Sequence, residues 1–163
     1  MELDICIEEA GWASVSFSNG NEKVNMYVSY LNDSMGDLIK AVNQMIHKSN
    51  YQKCNFQDEP GEFRLILQKD KAGKISIKII EFEESSSELS DKEGRVIFNT
   101  STSLKKFTAQ LYMTITDNIQ RIGIDGYQKR WNYGFPENEY KNIERYLRRV
   151  YGSSFEDTFQ TQV

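Results

Sequence analysis

This chain of 163 residues has little of the chemistry that reactive sites are built from: one histidine and two cysteines. Two cysteines, Cys6 and Cys54, are too few for a disulfide framework and read as reduced thiols. With His47 alone and the cysteines on different elements, the close pairing of a zinc site is missing, so neither metal nor cofactor is expected. Gly11, Gly20, Gly36 and Gly61 are isolated, which excludes a phosphate-cradling loop. No apolar run approaches the roughly 20 residues of a membrane helix, so no membrane partner is expected. The acidic start Met1-Glu2-Leu3-Asp4 lacks the layout of a secretory signal, and the expected location is cytoplasmic.

A basic footprint is missing too. The formal net charge is −4, with 17 acidic and 11 basic side chains in residues 1–100 and 7 against 9 in residues 101–163. That mild asymmetry is far from what nucleic-acid binding demands, and no such partner is expected. What is present fits a globular protein: 39% hydrophobic and 27% charged residues, in a length that buries roughly 70% of its unfolded surface. No repeat or interdomain linker divides it. Residues 1–151 read as one domain and 152–163 as a tail that either frays or docks its rings, Phe155 and Phe159.

The clearest pattern is central. Pro60-Gly61 opens into Phe63–Gln68, Asp70–Gly73 turns the chain, and Lys74–Ile79 follows, both runs alternating apolar and polar as hairpin strands do. Ile80 and Phe82 then continue the apolar set on the other face. Either a bulge shifts the phase or the strand is buried on both sides at its end. Upstream, Leu3/Ile5/Ile7, Ala13/Val15/Phe17 and Val24/Met26/Val28/Tyr30 form a three-stranded meander, with Asn19-Gly20 suited to a tight turn. Met35, Leu38, Ile39, Val42, Met45 and Ile46 mark a helix over about 34–48, capped near Asn32–Ser34.

Glu83–Gly94 reads as a polar loop and Arg95–Phe98 as a last strand. A helical stripe from Leu104 to Ile122 ends at Gly123; Tyr127 and Trp131 sit on a short helix; and Tyr140–Val150 make a final one. The expected fold is α+β: an antiparallel sheet of about six strands (three strands, helix, three strands), helices on one face, and C-terminal helices.

Chemistry offers few convergent groups. A Cys54–His47 thiol–imidazole pair lacks any spacing that brings the two together. Glu81, Glu83 and Glu84 end a strand and read as a solvated edge rather than an acid–base pair. Lys141, Arg145, Arg148 and Arg149 carry the best nucleic-acid argument, yet complementarity to a helix C-terminus explains them without a ligand. Aromatic residues reach 12%, and the clusters Tyr127/Trp131/Tyr133/Phe135 and Tyr27/Tyr30 exceed what a core of this size must hold, with helix-on-sheet packing as the competing reading for most of these rings.

Ser29–Asp33 leading into Asp37-Leu38, then Asp58–Glu62, then Gly126-Tyr127 with Trp131 and Phe135-Pro136, resembles a group of uncharacterised single-domain bacterial proteins. In general character the chain also resembles immunity proteins that neutralise bacterial toxins. Neither resemblance carries over a catalytic residue. The expected function is a non-enzymatic, protein-binding domain, of the immunity type if that likeness holds. Its contacts are placed at Glu81, Glu83, Glu84 and Glu88 on the Glu81–Glu93 edge and at Tyr127, Trp131, Tyr133 and Phe135. The alternative is a small-molecule binder or enzyme with a pocket between sheet and C-terminal helices, lined by Trp12, Tyr30, Tyr127 and Trp131, with Glu59, Glu62 or Arg64 for polarity. A homo-oligomer joined through the aromatic patch is the third reading.

Overall fold

Alternating burial runs through the first three strands of the computed structural model, which describes residues 1–85 and 88–159. β1 (Glu2–Ile7), β2 (Trp12–Ser18) and β3 (Lys23–Ser29) bury Leu3, Ile5, Ile7, Ala13, Val15, Phe17, Met26 and Val28 and turn the intervening residues outward. The Asp33 carboxylate accepts from the Gly36 N–H at 3.1 Å and starts α1 (Ser34–His47). Then come β4 (Tyr51–Gln57), β5 (Glu62–Lys69), β6 (Lys74–Phe82), β7 (Arg95–Ser103), α2 (Leu104–Trp131), α3 (Glu137–Tyr151) and α4 (Ser154–Phe159).

The fold is α+β, with one seven-stranded antiparallel sheet in the order β1-β2-β3-β4-β5-β6-β7. The strand beyond the expected six is β4. It pairs along its whole length with β5, but meets β3 only at Ser29↔Gln57. The sheet is thus two blocks joined at a single register pair, and α1, the connection between β3 and β4, packs against β4. The rings of Phe17 in β2 and Phe98 in β7 lie 6.1 Å apart, so the sheet curls until distant strands share one core.

The Ile79–Phe82 irregularity is a strand end buried on both faces, and the bulge opposite it does not shift the phase of β6. The β6–β7 register jumps from Ile79↔Phe98 to Ile80↔Val96, so the extra residue, Ile97, lies on β7. β6 itself alternates without interruption and is buried on both faces, with Ile80 and Phe82 under the loop that follows.

One edge of the sheet is sealed by a helix. Gln110, Thr114 and Asn118, four residues apart on α2, accept hydrogen bonds from the N–H groups of Leu3 (3.3 Å), Ile5 (2.7 Å) and Ile7 (2.9 Å). Four helical residues rise about 6.0 Å and two strand residues about 6.8 Å, so the two rows stay in step over this length. α2 occupies the place of an eighth strand and satisfies donors that would otherwise template aggregation. It loses helical geometry at Gly123 (φ 70°, ψ 169°), the position where the sequence pattern ends the helix.

The tail docks as far as Phe159. Phe155 is buried against Tyr112 (6.1 Å between centroids), and Phe159 contacts Tyr112 and Tyr151 edge-on. The rest of the tail, 160–163, lies outside the described residues. Among the described residues, no helix is long and apolar enough to cross a membrane.

Candidate functional site

The residues expected to form a contact surface fall into different environments. After the break at Gly123, Tyr127 and Trp131 turn inward and have 0% exposure. Trp131 donates its indole N–H to the Asp33 carboxylate at 3.3 Å, tying the end of α2 to the start of α1. Tyr127 packs edge-on against Phe135, and Tyr133 and Phe135 are half-buried on the same core. Burial, then the charges of Asp33 and Asp37, hold the Tyr127 hydroxyl well above the usual tyrosine range. Tyr127 and Trp131 are core, which corrects their assignment to a partner surface, while Tyr133 and Phe135 keep part of their area exposed. The alternative pocket is dispersed likewise: Trp12 stacks on the outward face of β2 and β3 and Tyr30 is 38% exposed, while Tyr127 and Trp131 lie in the core.

The glutamates need a different correction. Glu81 stands on β6, an interior strand paired on both sides, and hydrogen-bonds across to Arg95 on β7 at 3.0 Å. It is not on a sheet edge. Glu83, Glu84 and Glu88 are exposed in the loop beyond β6.

That loop is held by a buried charge network. Glu62 and Arg64, each 3% exposed, share an outward face of β5 with Ile80 and Phe82 of β6. The Arg64 Nε donates to Glu62 at 2.6 Å, while Nη1 donates to the Leu89 carbonyl (2.6 Å) and to Asp91 (3.0 Å). Its guanidinium lies 4.0 Å over the Phe82 ring, and Lys53 adds a second ion pair to Asp91 at 3.0 Å. Burial pushes the Asp91 carboxyl upward, but hydrogen bonds and charge from Lys53 and Arg64 outweigh it and leave a net depression. These groups hold the loop rather than polarise a cleft between sheet and helices.

Cys54 and His47 do not converge. Cys54 is buried beside a polar groove of about 400 Å³ between α1 and β4, with Asp37 and Lys40 on its rim. Burial first, then Asp37, pushes its thiol up to about 12, far from a thiolate nucleophile at neutral pH. His47 is exposed at the other end of α1 and lines separate cavities. Among the described residues, no three His, Cys, Asp or Glu side chains gather as a metal site.

A ring pair stands on the outward face of β2 and β3, beside the turn that precedes β2. The turn Glu9-Ala10-Gly11 places Gly11 at φ +81°, and the Tyr30 ring occupies the space where a Cβ would stand, 1.9 Å from its nearest atom. The Tyr30 N–H donates to the Gly11 carbonyl at 2.8 Å, fixing the close approach. Next to Gly11, the Trp12 ring stacks on Tyr27 of β3, centroids 4.9 Å apart and planes within 4°. Tyr27 is 48% exposed, Tyr30 38% and Leu31 60%. The Glu8 carboxylate accepts from Ser14 Oγ at 2.9 Å and from Tyr27 OH at 3.1 Å, which orients the Tyr27 ring and leaves an acidic rim. Partial desolvation, then Glu8, raises the Tyr27 hydroxyl above its ordinary range. Glu2 and Asp4 continue the acidic character along β1, while Glu9 pairs with Arg130 at 3.4 Å. Strand parity carried the signal for this surface: Trp12 shares the outward set with Ser14 and Ser16, and Tyr27 shares it with Asn25.

No protein-family model, curated protein or solved structure matches the chain.

Proposed function

We propose that this protein is a binding domain for a basic protein partner, engaged through Trp12 and Tyr27 with Glu8 at their rim. The observation that carries the reading is the Trp12–Tyr27 stack, built on the solvent face of a sheet and held by Glu8 rather than by core packing. Tryptophan and tyrosine dominate binding hot spots because large rigid rings bury area at small entropic cost. An arginine or lysine seated over such rings gains cation–π attraction, and nearby carboxylates steer it there. Two free thiols fit encounters in a reducing cytoplasm, and a basic toxin inhibited by this domain is one partner of the proposed chemistry.

The test compares immobilised wild type with W12A/Y27A in an extract of native cytoplasm, read by mass spectrometry. A basic protein retained by the wild type and lost with the variant supports the reading. Identical retention on both overturns it, and a second copy of this chain as the retained species replaces the partner with self-association.

A further inference from the structure

Arg145 and Arg149 stand four apart on α3, a spacing at which like charges oppose each other on a helix. Their neighbours on the same helix are neutralised: Lys141 pairs with Glu137 at 3.1 Å, and Arg148 pairs with Glu144 at 2.8 Å and with Glu156. Among the described residues no carboxylate pairs with Arg145 or Arg149. Arg145 donates to the Asn142 amide oxygen, and the Arg149 guanidinium stands 5.9 Å over the Tyr146 ring.

Both arginines line a cavity of about 260 Å³ between α3 and the end of α1, and His47 closes its other side. A second cavity of about 350 Å³ shares His47 and adds Lys48. Neither lining contains an aspartate or glutamate, in a chain whose net charge is −4. The C-terminal end of α1 accounts for His47 and Lys48, which complement its dipole, and Lys69 already caps the Met45 carbonyl there. It does not account for two guanidinium groups, without a carboxylate partner among the described residues, brought to the same hollow by another helix.

We infer that the α1–α3 cavity binds the terminal phosphoryl group of a small phosphorylated molecule, with Arg145 and Arg149 as its donors and His47 at its wall. Paired guanidinium forks match tetrahedral, multiply charged oxygens. A nucleic-acid backbone is disfavoured because it needs an extended basic track, and here the flanking cations Lys141 and Arg148 are already taken.

His47, the single histidine of the chain, supplies an unambiguous reporter. Its ring ¹H–¹³C signals are followed at fixed pH and ionic strength while methyl phosphate is added. Dimethyl phosphate, glutarate and chloride serve as comparison series. The expected result is a saturating shift with methyl phosphate alone, weakened about tenfold or more in R145Q/R149Q. K141Q titrates as the wild type does. Both arginines are exposed, so unchanged thermal midpoints certify folding of the variants. Saturation at the same midpoint by dimethyl phosphate or glutarate overturns the phosphoryl assignment. A merely linear drift, or equal binding by R145Q/R149Q, overturns the site.

Discussion

Replacing Asn118 by alanine opens the seal between α2 and β1 at a defined atom. Its Oδ1 accepts the Ile7 N–H at 2.9 Å, and its Nδ2 donates to the Ile5 carbonyl at 2.6 Å. The Ile5 carbonyl keeps a bond from Thr114 Oγ1 (3.1 Å) and the Ile7 carbonyl keeps one from Arg121 (2.7 Å). Only the Ile7 N–H, in a residue with 0% exposure, is left with no acceptor. Such an orphaned donor costs about 1–3 kcal/mol, against which alanine regains at most about 0.7 kcal/mol of helix propensity. The net loss of about 0.3–2.3 kcal/mol lowers Tm by about 1–9 °C in a domain of this size. Hydrogen exchange supplies the local signature: the Ile7 amide loses protection more than amides in the β5–β6 pair. Thr114→Val orphans the Ile5 N–H in the same way, and because both side chains reach the Ile5 carbonyl the double variant departs from additivity. A Tm within about 1 °C of wild type, with Ile7 still protected, would refute the edge-sealing role.

Three other outcomes follow from the same geometry. Asp91 has a depressed carboxyl in the folded state, so its contribution is present above the unfolded value and is lost as pH falls through the folded one. The 88–94 segment should loosen only below about pH 4, seen as faster proteolysis there, and D91N should show the loosening already at pH 7. Gly11→Ala meets both positive φ and the Tyr30 ring, and should cost about 1–3 kcal/mol in denaturant unfolding while raising Tyr30 exposure. With its thiol near 12, Cys54 holds only about one part in ten thousand as thiolate at pH 8. A thiol-reactive disulfide should therefore titrate one cysteine per native chain, half-exposed Cys6, and the second only after unfolding.

Much of the architecture was legible because it is locally coded. Alternation marked five strands well, and the stripe on α1 and the break at Gly123 are set by spacing alone. β4 was not legible: Tyr51–Gln57 offers only Cys54 and Phe56 to the core, and its outer side pairs once, so its sequence carries a sparse pattern. Glu62 and Arg64 look outward by parity, and they are outward; what buries them is a loop arriving from more than 20 residues away, which no local pattern encodes. For Tyr127 and Trp131, a four-residue spacing places two rings on one helix face without saying whether that face meets solvent or Asp33. Likewise, Glu81 reads as an edge residue until strand order makes β6 interior.

The binding proposal is tested most directly by calorimetric titration of the captured partner against wild type, W12A, Y27A and Y146A. The account predicts that W12A and Y27A each weaken binding by about thirtyfold or more, the loss of about 2 kcal/mol typical of a hot-spot ring, with Y146A unchanged. Affinities within twofold of wild type for both W12A and Y27A, in proteins of unaltered Tm, would contradict it.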